Sequence, residues 1–268
     1  MQKIIDGVRL GYDVAGTGPA LVLLHGFPLD RTIWDAPFGA LAGRCRVIRP
    51  DFRGSGESAC GEGPALMETL AGDVFGLLDA LGVERVILAG HSMGGYVALA
   101  FFRMYAERVA GLALVASHAA ADSAARRAAR DTLGAALEAR GAAALNDAID
   151  AMLPGLLGPR AAADAALVAR VRVIMARQSP AGAAAQVLGM KLRVGSEDLL
   201  EDIAVPAAIV IGDRDPLITL ATAEGTAAAI AGCAVECIAG AGHLPMLEAP
   251  QATTAALERL IVRCASTA

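Results

Sequence analysis

The residue types able to do chemistry in this chain gather in a few short stretches, and the first is Gly90-His91-Ser92-Met93-Gly94. It directly follows the apolar run Arg85 to Ala89 and directly precedes a helical pattern starting near Met93, so Ser92 is expected at the tip of a sharp strand-to-helix turn. Residues two places to either side of such a turn must lack side chains for the backbone to close, and Gly90 and Gly94 meet that need. A serine at a helix N-terminus faces exposed amides and the positive end of the helix dipole, which favour the negative charge that develops in acyl transfer. The backbone N–H of Met93 is therefore one expected oxyanion donor.

A serine nucleophile needs a histidine base that is itself held by a carboxylate. The histidines are His25, His91, His118 and His243. His91 adjoins the nucleophile and is expected to point away from its hydroxyl, and His25 precedes Gly26 in a turn leaving a strand, where it is expected to brace the loop. His243 ends Ala239-Gly-Ala-Gly-His243, a loop between the expected last strand, Ala234 to Ile238, and the final helix; it is the expected general base. For the carboxylate, Ile209-Val-Ile-Gly-Asp213-Arg-Asp215 supplies two candidates just beyond the carboxyl end of a strand, where α/β sheets gather their sites. The loop His25-Gly26-Phe27-Pro28 turns sharply at Gly26, and the Phe27 N–H is the expected second oxyanion donor.

These residues must be positioned by a framework that the apolar pattern makes visible. Ile4-Ile5, Asp6-Gly7 and Leu10 to Val14 read as a hairpin, because Asp-Gly supplies the positive φ angles a tight turn demands. Ala20 to Leu24, Cys45 to Ile48, Arg85 to Ala89, Val109 to Val115 and Ala207 to Ile211 are continuously apolar and too short for helices, as strands covered on both faces should be. Helical spacing marks Leu66 to Leu81, Met93 to Tyr105 and Pro250 to Cys264. Strands alternating with helices imply a mostly parallel twisted sheet with helices on both faces. From about His118 to Ser196 the alternation stops; Leu133 to Leu145, Ala161 to Gln178 and Ala181 to Leu192 look helical, and the segment reads as an inserted cap, leaving 1–117 and 197–268 as the core.

Composition narrows the function. A net charge of -5 without a basic stripe excludes nucleic acid as an expected partner. No apolar run reaches membrane-spanning length, and the charged N-terminal stretch lacks the pattern of a secretory signal, so a soluble, cytoplasmic protein is expected. Cys45, Cys60, Cys233, Cys237 and Cys264 are scattered, odd in number and without Cys-x-x-Cys spacing, which fits reduced thiols and neither a disulfide framework nor a metal site.

Together, His25-Gly-Phe-Pro28, Asp51-Phe-Arg53-Gly54-Ser-Gly56, Gly90-His-Ser-Met-Gly94, Gly212-Asp-Arg-Asp215 and Gly242-His-Leu-Pro245 resemble the α/β-hydrolase superfamily over almost the whole chain, and within it the small esterase, enol-lactonase and cofactor-free haloperoxidase group. The order Ser, Asp, His agrees. The resemblance implies that the acid is the Asp three positions after Gly212, which selects Asp215 over Asp213, and that Asp51 to Gly56 is a structural turn. One departure concerns the acid loop: Pro216 follows Asp215 at once, where relatives place a proline a few residues on. The haloalkane dehalogenases of the superfamily carry Asp at the nucleophile position, and Ser92 excludes their chemistry.

The expected activity is hydrolysis of small-molecule carboxylic esters or lactones by Ser92, Asp215 and His243, with no cofactor and no metal. The alternatives are a perhydrolase of the haloperoxidase type and a ligand sensor that retains the triad. Trp34, Ile218 and Leu244 are candidate pocket residues, with Met152, Leu153, Leu156, Leu157, Val171, Ile174 and Met175 as cap lining. Arg126, Arg127, Arg130, Arg170, Arg172 and Arg177 either lie on solvated faces or set a cation at the entrance.

Overall fold

A computed structural model describes residues 1–266. In chain order the elements are β1 (Gln2–Ile5), β2 (Val8–Ala15), β3 (Ala20–Leu24), α1 (Asp35–Leu41), β4 (Arg46–Pro50), α2 (Met67–Ala80), β5 (Val86–His91), α3 (Met93–Tyr105) and β6 (Val109–Val115). There follow α4 (Ala124–Arg140), α5 (Ala142–Met152), α6 (Pro159–Ala162), α7 (Ala165–Met175) and α8 (Pro180–Leu192). The chain returns through β7 (Ala207–Gly212), α9 (Leu220–Ala228), β8 (Ala234–Ile238), α10 (Pro245–Glu248) and α11 (Pro250–Ala265).

The strands form one sheet in the order β1-β2-β4-β3-β5-β6-β7-β8. The β1–β2 and β2–β4 pairs are antiparallel and the rest parallel. The expected hairpin turns at Asp6 and Gly7, both with positive φ. β3, β5 and β7 are buried along their full length, which explains why their sequences are unbroken apolar runs. The chain crosses between β3, β4 and β5 at the centre of the sheet, and the loops at the carboxyl ends of β3, β5, β7 and β8 converge there.

The helices between β6 and β7 depart from the sequence expectation in their breaks. The single helix expected over Leu133 to Leu145 is two, because Gly141 at φ +53 ends α4 and starts α5. α4 begins earlier, at Ala124, where the Ser123 hydroxyl accepts the Arg126 N–H. The helix expected over Ala161 to Gln178 is divided at Asp164, whose carboxylate caps the Ala166 and Leu167 amides of α7. α8 packs on the turn after β4: the buried Gln186 amide donates to the Arg53 carbonyl at 3.1 Å and to the Ser55 hydroxyl at 2.8 Å.

Candidate active site

Ser92 sits between β5 and α3 with φ +50, a left-handed conformation that costs a non-glycine residue about 1–3 kcal/mol. Its neighbours hold it there: the Ser92 N–H donates to the Val115 carbonyl at 2.9 Å and the Ser117 hydroxyl to the Ser92 carbonyl at 2.8 Å. A Cβ on Gly90 would lie 2.2 Å from the Gly94 carbonyl oxygen, and one on Gly94 would lie 2.6 Å from that of Leu24. The turn therefore closes only with glycine at both places, as the spacing anticipates.

His243 reaches Ser92 from the loop after β8. Its Nε2 lies 3.0 Å from Ser92 Oγ and its Nδ1 2.8 Å from Asp215 Oδ2. The other oxygen, Asp215 Oδ1, accepts the N–H groups of Leu217 at 2.8 Å and Ile218 at 3.0 Å, which orients the carboxylate. Asp215, 8% exposed, and His243, 3% exposed, are both shielded, so their charges interact in a medium poorer than water. Asp213, the other carboxylate of the loop, turns away and accepts the Gly240 N–H. Such a chain of hydrogen bonds can strip a proton from the hydroxyl and return it to a leaving group.

Among the described residues neither the Phe27 nor the Met93 N–H donates to a protein acceptor, which leaves both free to receive an oxyanion. The loop that carries Phe27 is braced by His25: Nδ1–H donates to the Gly26 carbonyl at 2.9 Å, and Nε2 accepts the Phe52 N–H at 3.0 Å. Both ring nitrogens are thus used by neutral imidazole, and burial holds His25 below its usual range.

A cavity of about 410 Å³ opens on Ser92 and His243. From the core Phe27, Tyr96, Leu217 and Ile218 line it; from the helices between β6 and β7 come Arg126, Ala129, Arg130, Leu133, Met152, Leu156 and Met190. Ile218, Met152 and Leu156 are where the sequence reading put them. Trp34 and Leu244 do not line this cavity. Both are fully buried: Trp34 closes the turn before α1, and the Leu244 N–H donates to Glu248 Oε1 at 3.0 Å. Leu153, Val171, Ile174 and Met175 are buried as packing of the helical layer, since their helix faces turn inward, and Leu157 is buried in the link between helices.

Sequence reasoning missed Tyr96, although it lies four residues beyond Ser92, one helical turn along the same face. It also missed Glu248, whose contacts arise from chain reversals that no local periodicity encodes. Among the described residues no group of three or more His, Cys, Asp or Glu is placed to hold a metal ion, and no helix is long and apolar enough to cross a membrane.

A strained serine after the parallel strand β5, met by a carboxylate from the loop after β7 and a histidine from the loop after β8, defines the α/β class of hydrolases. Residues 21–257 match the model of the alpha/beta hydrolase family, and the chain belongs to that family. A thermophilic esterase from Thermogutta terrifontis, solved with malate bound, superposes with a TM-score of 0.93 at 34% identity, covering 98% of each chain. The enol-lactonase from Burkholderia xenovorans LB400 gives 0.89 at 26% identity, covering 98% of this chain and 100% of that one. Curated relatives align over shorter stretches. The soluble epoxide hydrolase of a Corynebacterium species is 42% identical over 100 residues, 37% of this chain and 35% of the relative. The chain spans about a third of the length of the first curated relatives it matches, 34% for an uncharacterized Mycobacterium bovis protein.

Proposed function

We propose that the protein is a serine hydrolase of small-molecule carboxylic esters or lactones, working through an acyl-Ser92 intermediate. The observation that carries this reading is the unbroken chain Asp215 Oδ2, His243, Ser92 Oγ, with separations of 2.8 and 3.0 Å. Ser92 Oγ attacks the carbonyl carbon while His243 Nε2 takes its proton, and Asp215 stabilises the imidazolium. The Phe27 and Met93 amides hold the oxyanion, each contributing about 3 kcal/mol to the transition state. Collapse expels the alcohol with the proton from His243; water, deprotonated by the same histidine, then releases the acid and restores Ser92. These steps call on no metal or organic cofactor.

The helices between β6 and β7, residues 118–196, serve in this reading as a cap that supplies one wall of the cavity and keeps water out. The likeness to the esterase and the enol-lactonase over nearly the whole chain supports the same chemistry. Five scattered cysteines without Cys-x-x-Cys spacing fit a cytoplasmic setting. The test is labelling by a fluorophosphonate, with wild type, Ser92→Ala and His243→Ala compared. Modification at Ser92 that drops sharply in His243→Ala is the expected result; folded wild type that resists the probe would remove the proposal.

A further inference from the structure

We propose that the cavity takes an ester or lactone bearing a carboxylate, with Arg126 as the cation that meets it and the Tyr96 hydroxyl as a second donor. This deepens the hydrolase reading and rests on it. The chain as a whole is anionic, with a net charge of -5, so its mean field disfavours such a substrate. The cavity reverses that sign locally: its lining includes Arg126 and Arg130 and no Asp or Glu. Arg130 is committed to Asp122, whose other oxygen is held by Arg193 at 3.1 Å. Arg140, Arg170, Arg172 and Arg177 each pair with an aspartate as well. No carboxylate among the described residues lies at ion-pair distance from Arg126, which leaves an uncommitted guanidinium on the wall that faces Ser92.

Tyr96 adds to this wall. Its hydroxyl is 3.2 Å from His118 Nε2, while His118 Nδ1 is buried without a partner. Burial, then the charges of Arg193 and Arg126, push His118 down to about 4, so the ring is neutral. An unpaired buried lone pair is tolerated better than an unpaired N–H, which puts the proton on Nε2. That N–H donates to the Tyr96 oxygen and frees the phenolic proton for the cavity.

Three esters of matched size test the proposal: neutral p-nitrophenyl valerate, mono-p-nitrophenyl glutarate with its carboxylate on the acyl side, and 4-carboxyphenyl valerate with it on the leaving group. Wild type should favour one of the anionic esters by about fivefold or more in kcat/KM at low salt. Arg126→Glu should abolish that preference by raising KM for the anionic ester more than for the neutral one, and Tyr96→Phe should weaken it. Efficient turnover of the neutral ester with no anionic preference, or a preference that survives Arg126→Glu, overturns the proposal and leaves the hydrolase reading intact. Folded protein inert toward all three removes both.

A different set of contacts carries a second inference: we infer that Glu248 is a positioning residue that couples the helical layer to His243. Glu248 Oε2 accepts the N–H of Gly242 at 2.9 Å and that of Gly158 at 2.7 Å, and Oε1 accepts that of Leu244. One carboxylate therefore grips both neighbours of the base and, in the same oxygen, the segment leading into α6. The His243 N–H itself donates to the Leu156 carbonyl at 2.8 Å. The two segments touch backbone to backbone: a Cβ on Gly158 would lie 2.6 Å from the Gly240 oxygen, and one on Gly242 2.4 Å from the Gly158 nitrogen.

Glu248 does not line the cavity, so its replacement should act on the base and not on binding. Glu248→Gln should lower kcat about a hundredfold with KM moved by less than about twofold, and the low-field proton resonance of the His243–Asp215 bond should shift or broaden. Gly158→Ala, which pushes on the same seam from the other side, should give the same split if Glu248→Gln folds poorly. Wild-type kcat per folded molecule with an unaltered resonance in either variant overturns the inference.

Discussion

The Nε2–H of His91 donates to the main-chain carbonyl of His243 across 2.8 Å, with the two ring centres 5.0 Å apart. The residue next to Ser92 thus holds the backbone of the residue that reaches Ser92. Ser92 and His243 are registered to each other through His91 as well as through their own hydrogen bond.

Replacing His91 by Phe keeps a ring of similar volume and removes the donor. The buried His243 carbonyl is then left unpaired, a loss of about 1–3 kcal/mol in stability. Fluorophosphonate labelling of Ser92 should slow along with it. Labelling at the wild-type rate would show that the other contacts of His243 suffice.

The two carboxylates of the β7 loop should separate cleanly. Asp215→Asn removes the acceptor that orients the His243 ring and should lower kcat by about 10⁴. Asp213→Asn, whose residue caps the Gly240 amide and lies 3.8 Å from the exposed Arg214 guanidinium, should leave ester turnover within about threefold of wild type, since both contacts are exposed and away from His243. Comparable losses in the two would reverse the assignment of the acid.

Stability should decline in mild acid. His25, His91 and His118 are buried and all held below 6.5, first by burial, His118 to about 4. Below pH 6.5 the unfolded chain therefore binds protons that the folded chain refuses, and stability falls as pH drops. Each such histidine contributes a slope of up to about 1.4 kcal/mol per pH unit. Denaturant midpoints measured from pH 7.5 to 5 check this, and His118→Phe should flatten the slope. A flat profile would contradict it.

Arg53 and Asp73 form a two-pronged ion pair, at 2.7 and 2.6 Å, with side chains 11% and 4% exposed. It ties the turn after β4 to α2. Asp73→Ala strands the guanidinium and should cost about 3–5 kcal/mol. The double variant Asp73→Leu with Arg53→Met should recover much of that by equilibrium unfolding, because no charge is then left unpaired.

What the sequence by itself determined was everything local. The doubly covered strands announced themselves as unbroken apolar runs, since both faces of β3, β5 and β7 are buried. The Gly-x-Ser-x-Gly turn was legible because its closure needs glycine at fixed offsets, and the parallel sheet followed from alternation. The three residues of the proposed triad could be nominated because few histidines and few post-strand carboxylates were on offer. The tertiary structure decided what depends on residues distant in sequence meeting in space. It set Asp215 and not Asp213 against the His243 ring, a choice that the resemblance implied and that composition alone leaves open. It sent Trp34 and Leu244 into the packing and brought Tyr96, Leu133 and Met190 to the cavity, because which face of a helix looks into a cleft depends on what the helix packs against. It also paired Arg130, Arg170, Arg172 and Arg177 with aspartates and set Arg127 on the Asp122 main-chain carbonyl, while leaving Arg126 with no carboxylate at ion-pair distance, a distinction that charge counting along the chain cannot make.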